Sequence, residues 1–166
     1  MKKILITGTD SYIGTSFKNW ISKWSDEYEV QTIDMTGNDW KEKSFGDFDV
    51  VYHIAAIVHV KENDTEKYFN VNRDLTFEVA KKANEEGVNQ FIFLSTMGVY
   101  GAETGYINKS TKPDPKTSYA KSKLEAEVLL NRLADDSFKV SIVRPPIVYG
   151  KDCKGKNNSL CRAVKL

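Results

Sequence analysis

Tyr119 and Lys123 stand four residues apart in SYAKSKLEAE, a stretch with helical patterning, so their side chains share one face. An ammonium beside a phenol stabilises the phenolate, and a cationic ring close by would add to the effect. Together they could bring a phenol pKa of about 10 down toward working pH and make Tyr119 a general base. The same spacing also fits a tyrosine and a lysine solvated on a polar helix face. Thr96 follows the apolar run FIFLS and could hydrogen-bond a substrate hydroxyl or the ketone formed from it. It would serve equally as a strand-end cap.

A second group of residues could hold an anion. KKILIT, residues 2 to 7, reads as a short buried strand and runs into GTDSYIG, residues 8 to 14. Gly8 closes the strand. Gly14 sits where a following helix would pack on it, and Ser11, Tyr12 and Ile13 lie between. Asp34 ends the next apolar run about 20 residues on. Strand, Gly-rich turn, helix, strand and acid form the layout of a dinucleotide-binding βαβ unit. Unpaired N–H groups and the helix dipole at such a turn suit a pyrophosphate. Asp34 is placed to accept both hydroxyls of an adenosine ribose. Met35 rather than Arg follows it, which favours NAD over NADP. A strict GxxGxxG would place glycine at 11. Ser11 there would crowd a ligand if the backbone required a positive φ.

These residues need a sheet edge to bring them together. Ile13, Phe17, Trp20, Ile21 and Trp24 repeat at 3- and 4-residue intervals, which predicts a helix over 11–24 with that side buried. Strands are expected at 29–33, 48–54, 91–95 and 140–144, with at most one edge strand in the turn-rich 36–47. Small Ala55 and Ala56 leave room for a ligand at the carboxyl edge. Long helices are expected over 66–86, with Phe69, Leu75, Val79 and Ala83 inward, and over 118–134, with Leu124, Val128, Leu129 and Leu133 inward. Pro113 and Pro115 keep 101–117 a loop. Strands alternating with helices, without hairpin signals, predict an α/β fold with a doubly wound parallel sheet of Rossmann type.

Composition narrows the function classes. The chain has 166 residues, 40% apolar and 28% charged, with net charge +1, ordinary for one globular domain. No basic patch points to nucleic acid. Cys153 and Cys161 make neither a disulfide framework nor a zinc site, and His53 and His59 lack metal-ligand spacing, so no metal is expected. His53 reads as a strand residue and His59 as a loop or surface residue. The apolar run in MKKILITG is too short for a secretory signal or a membrane span, and the expected location is cytoplasmic. Residues 1–150 read as the cofactor-binding domain. Lys151, Lys154, Lys156, Arg162 and Lys165 against Asp152 make 151–166 a basic loop. Leu160, Val164 and Leu166 there read as the start of a truncated substrate-binding part.

In combination, TGTDSYIG, Asp34, DVVYHIAA, Val71-Asn72 with Thr76, FLSTMGVYG, SYAKSKLEAE and VRPPIVYG resemble the extended short-chain dehydrogenase/reductase family, in its sugar-nucleotide epimerase/dehydratase branch. The matches run in order over almost all of 1–150. The resemblance implies that Gly8, Ser11, Tyr12, Ile13 and Gly14 hold the pyrophosphate of NAD and that Asp34 holds the ribose. Asp39 would stand near adenine, Ala55 and Ala56 would line the cofactor, and Asn72 is the asparagine of that helix. Pro146 would pass the nicotinamide. Thr96, Tyr119 and Lys123 match the catalytic Ser/Thr, Tyr and Lys, and Lys123 would also bond the nicotinamide ribose. Leu75 stands where the branch usually has glycine, which should touch only helix packing.

The implied substrate is a UDP-sugar or similar sugar nucleotide, and the implied reaction is 4-epimerisation by hydride removal and return. A 4,6-dehydratase would need carboxyl groups directly after Thr96, where this chain has Met97 and Gly98. A keto-sugar nucleotide reductase using the same three residues, and a catalytically inactive NAD-binding domain, are the alternatives. Without the C-terminal substrate domain usual in the family, the chain by itself is expected to bind NAD and turn over nothing. The family also implies a homodimer through the two long helices, for which Phe77 and Leu130 are candidate exposed contacts.

Overall fold

The computed structural model describes residues 1–58, 64–102, 104–150 and 153. His59, Cys161 and nearly all of the basic 151–166 stretch lie outside the described residues. In order, the elements are β1 (Lys2–Thr7), α1 (Tyr12–Ile21), β2 (Tyr28–Ile33), β3 (Val50–His53), α2 (Thr65–Phe69), α3 (Thr76–Glu85), β4 (Gln90–Leu94), α4 (Ser118–Leu133) and β5 (Lys139–Val143). The five strands form one parallel sheet in the order β2-β1-β3-β4-β5. The order reverses beside β1, so the carboxyl ends of β1 and β3 flank the switch point where α/β sheets form their crevices.

Alternation along each strand sends side chains to two separate cores. Ile4 and Ile6 of β1 face α1, where Ile21 and Phe17 meet them together with Ile54. Leu5, Val51, Phe91 and Phe93 point the other way, onto Val79, Ala80 and Ala83 of α3 and Ala126 and Leu130 of α4. Helices therefore lie on both faces, as expected for a doubly wound sheet. Phe45, Phe91, Phe93 and Phe138 are fully enclosed. Each contributes up to about 3 kcal/mol of apolar burial. The 36–47 segment forms no described strand. It makes a short 3-10 turn at Asp39–Glu42 that drives Trp40 into the core.

Three expectations about buried faces are corrected. The α-helix ends at Ile21 and tightens to a 3-10 turn over Ser22–Trp24. Gly14, Phe17 and Ile21 form the stripe toward the sheet, and Ile13 lines the cleft instead. Trp20 and Trp24 fall beside it, 55% and 40% exposed, with ring centroids 4.8 Å apart. An apolar 3,4 pattern cannot separate two adjacent stripes when both are aromatic-rich. On α4 the inward face is Ala120, Ser122, Lys123, Ala126, Glu127 and Leu130, while Val128 is 45% exposed. Leu130 is thus core, not surface, and Val128 is surface, not core. Polar side chains with partners inside the fold have taken inward positions that hydrophobicity alone would assign to leucine and valine. Phe77, expected at the surface, is partly buried.

The helix expected over 66–86 is present with an interruption. Asn70–Leu75 winds as π-helix between α2 and α3. Such insertions occur mostly at functional sites. Here the wide turn encloses Asn72, which is fully buried. Among the described residues no helix is long and apolar enough to cross a membrane.

Candidate active site

The carboxyl ends of the central strands open into one cleft of about 700 Å³. Its floor begins at the Gly-rich turn. Gly8 takes φ +93°, a conformation side chains rarely adopt, while its N–H donates to Ile33 O at 2.8 Å. Ser11 is extended, with φ −68° and ψ 129°, and caps α1 by accepting from Gly14 N at 3.4 Å. The positive φ that would have made Ser11 a crowding residue is absent, so serine fits here without strain. Gly14 is needed for packing. A Cβ there would lie 2.6 Å from Ile54 Cδ1 and 3.2 Å from Ile6 Cγ2. Ser11, Tyr12 and Ile13 line the cleft at the start of α1, where first-turn N–H groups suit an anion.

Asp34 lines the same cleft from the end of β2. Its carboxylate accepts from Thr36 Oγ1 at 2.5 Å and Thr36 N at 3.0 Å, bonds that hold its pKa below the usual range. It therefore makes a turn and remains exposed to a ligand. Asp39 does not join it. A shallower depression of about 360 Å³ adjoins at Met35 and Leu75, lined by Asn38 and Trp40 but not by Asp39. Ala55, Ala56 and Pro146 are in the main cleft.

Asn72 is not in the cleft lining. It acts from behind, accepting from Ile57 N at 2.9 Å while its amide donates to Ile57 O at 3.0 Å and to Ser122 Oγ at 3.3 Å. This clamps the backbone that follows Ala55 and Ala56. His53, fully buried, ties the same backbone to β1. Thr7 Oγ1 accepts from Ile54 N and Ala55 N, at 3.2 and 3.3 Å, so its own hydroxyl proton is free for His53 Nδ1 at 2.9 Å. Thr76 donates to Asn72 O at 2.9 Å and lies 3.0 Å from His53 Nε2. The arrangement assigns a neutral ring with its proton on Nε2. Burial, with the Lys123 charge second, pushes the His53 pKa down to about 3.

Thr96, Tyr119 and Lys123 all line the cleft. Thr96 begins a short 3-10 turn, Met97–Tyr100, which it caps through Gly98 N at 3.1 Å, so the capping reading also holds. Tyr119 meets Tyr68 of α2 edge-on, with centroids 6.1 Å apart. Burial first, and Tyr68 second, raise the Tyr119 pKa above its ordinary value. The lowering expected from the neighbouring Lys123 does not outweigh that burial. Lys123 is buried, donates to Leu94 O at 2.9 Å and lies 4.6 Å from the Phe93 ring centroid. Burial brings its pKa down to about 7, with Glu127 pulling the other way.

Sequence reasoning missed the support under this group. Glu127 is buried and accepts from Ser95 Oγ and from Arg144, whose Nε is 2.9 Å from Oε1 and whose Nη2 meets Oε2. Arg144 Nη1 in turn reaches Tyr100 Oη at 2.5 Å. The spacing gave a signal, since Glu127 follows Lys123 by one helical turn as Lys123 follows Tyr119. Val148 and Cys153 also line the cleft, and neither was read from the sequence as a residue of the site. Among the described residues no group of three or more His, Cys, Asp and Glu is clustered for a metal.

Known proteins are similar to this chain in sequence and fold. The profile of the NAD dependent epimerase/dehydratase family matches residues 4–165. A UDP-glucose 4-epimerase of Vibrio cholerae is 32% identical over 187 aligned residues, covering 98% of this chain and 57% of that protein. The crystal structure of UDP-glucuronic acid 4-epimerase from Bacillus cereus in complex with NAD superposes with TM-score 0.76 at 27% identity, over 89% of this chain and 57% of that one. The UDP-Glc/GlcNAc 4-epimerase of Campylobacter jejuni gives TM-score 0.73 at 27% identity, over 87% and 53%. The chain spans a little over half the length of these relatives. With a family match that takes in the Gly-rich turn, the cleft and all five strands, the chain belongs to the NAD dependent epimerase/dehydratase family.

Proposed function

We propose that this chain is the NAD-binding part of a nucleotide-sugar 4-epimerase of the UDP-glucose or UDP-N-acetylglucosamine type. The observation that carries the reading is the shared cleft, whose lining brings together Thr96, Tyr119 and Lys123 with the Gly8–Ser11 turn and Asp34. The donor set fits a dinucleotide. The first turn of α1 would take the pyrophosphate, Asp34 a ribose diol, and Ala55, Ala56 and Pro146 the flat groups between. Asp39 lies outside the lining and is assigned no contact. Asn72 serves by holding the Ile57 backbone in place.

NAD held by these residues would supply a hydride acceptor and a positively charged ring. Tyr119 then holds the proton of the substrate hydroxyl. At rest its phenol is protonated, and the Lys123 ammonium one helical turn away would favour the phenolate. Thr96 offers a hydroxyl to the oxygen that becomes the ketone. Met97 and Gly98 carry no carboxyl group, so the proton transfers needed for dehydration have no agent there. The substrate is a UDP-sugar. Two copies pair through the helix faces of α3 and α4, where Val128 stands exposed.

Calorimetric titration with NAD, followed by a product assay on a panel of UDP-sugars with the full-length protein, tests the reading. Tyr119→Phe should leave NAD affinity nearly unchanged and abolish interconversion of 4-epimers. Full turnover in that variant would refute the role of Tyr119 as base.

A further inference from the structure

Lys123 presents an unusual problem, because an ammonium that is 1% exposed should shed its proton unless something offsets the loss of water. Its direct contacts are weak in charge. Leu94 O is a carbonyl and the Phe93 ring a quadrupole. Among the described residues, the titratable or charged groups around it are Tyr119 and Glu127 on α4, His53 on β3, and Arg144 at the end of β5, reached through Glu127. Tyr119 is protonated and His53 is neutral. Arg144 adds positive charge. Glu127 alone among them is negative.

We propose that Glu127 is a positioning residue whose buried carboxylate keeps the Lys123 ammonium charged beneath the cleft. The claim about its role in turnover rests on the epimerase reading. Three groups hold the carboxylate in place. Ser95 Oγ and Arg144 Nε converge on Oε1, and Arg144 Nη2 takes Oε2. Arg144 is itself steadied by Tyr100, whose hydroxyl it meets at 2.5 Å and whose ring centroid is 5.0 Å away. Glu127 makes no ion pair with Lys123. It acts one helical turn away through a medium poor in water, where a single charge reaches further than at the surface. Arg144 and Glu127 form a bidentate ion pair whose two charges stand on different elements. The carboxylate lies on the helix that carries Lys123, and the guanidinium enters from the far strand.

The Lys123 side-chain nitrogen reports its own protonation by its NMR shift. The signal is assigned by its disappearance in Lys123→Met. The titration is run on the full chain without added ligand, so it does not depend on any substrate. In Glu127→Gln the midpoint should fall by at least about one pH unit. Glu127→Asp, which keeps the charge, should return most of it. Arg144→Gln removes the opposing charge and should move the midpoint up. An unchanged midpoint in Glu127→Gln overturns the proposal, as does a fall in Arg144→Gln, and the latter variant decides the matter if the former does not fold. In the full-length enzyme the alkaline limb of the kcat profile should move down with the Lys123 midpoint in Glu127→Gln. Midpoints that move as stated in a protein inactive toward every UDP-sugar would overturn the epimerase reading and leave Glu127 as the counter-charge.

Discussion

Lys123 Nζ donates to the carbonyl oxygen of Leu94 at 2.9 Å, so the ammonium is anchored to the strand end preceding Ser95 and Thr96 rather than to the phenol of Tyr119. The anchoring puts Tyr119 and Thr96 on one rigid frame, because α4 and β4 are joined through this one hydrogen bond as well as through packing. It also costs stability, since a charged group sits where water cannot reach.

The cost has a sign that can be measured. Lys123 loses its proton near pH 7 in the folded chain, against 10.5 for the free group. Between those values the unfolded chain binds more protons, so this group makes stability rise with pH. Lys123→Met lacks that rise. Its stability relative to wild type should therefore decline by up to about 1.4 kcal/mol per pH unit above pH 7. Urea unfolding at about pH 7, 8 and 9 checks it, and a constant difference would mean that burial does not lower the lysine's pKa.

His53 makes the complementary case at acid pH. Its pKa is near 3 folded and 6.5 free, so the unfolded chain takes up the proton first as pH falls. Stability is intact above about pH 6.5 and drains progressively toward pH 3. The loss between pH 7 and pH 5.5 should be roughly 1 kcal/mol. His53→Gln should be less stable at pH 7, because Thr7 and Thr76 lose shaped partners, yet its acid slope should flatten. Parallel slopes for the two proteins would refute a neutral His53.

The Gly-rich turn, the strand ends and the three cleft residues were legible in the sequence because each depends on local pattern: a turn after an apolar run, an acid at the next strand end, and i,i+4 spacing. What was not legible depends on partners distant in the chain. Trp20 and Trp24 look as apolar as Ile21, and only the sheet decides which stripe it covers. Lys123 and Glu127 look solvated until β4, β5 and Arg144 enclose them. The raised Tyr119 pKa has the same origin. The helix spacing supplied the neighbouring ammonium, but burial and the ring of Tyr68 come from elsewhere in the fold.

Ser11 and Gly14 differ in what they contribute, and substitution separates them. Ser11→Gly removes a cap with a 3.4 Å bond and should cost only a few tenths of a kcal/mol, with NAD affinity little changed. Gly14→Ala forces a methyl against Ile54 Cδ1 and should cost about 1–3 kcal/mol by thermal or urea unfolding. Ile54→Val in the Gly14→Ala background removes the clashing atom. The pair should recover part of the loss, giving a favourable coupling in a double-mutant cycle. Additive losses would place the strain at Ile6 Cγ2 instead.

Val128 bears on the assembly. α4 turns Lys123, Glu127 and Leu130 inward, so the apolar Val128 is left outside at 45% exposure, on the helix proposed to meet its copy. A charge at the centre of such a face must be desolvated without a partner on association, whereas in a lone chain it remains in water. Val128→Glu should therefore leave helix content and unfolding almost unchanged while weakening self-association at least tenfold by sedimentation equilibrium, a change of about 1.4 kcal/mol or more. Equal association of the two proteins would remove α4 from the interface. Loss of fold in the variant would show instead that Val128 packs within its own chain.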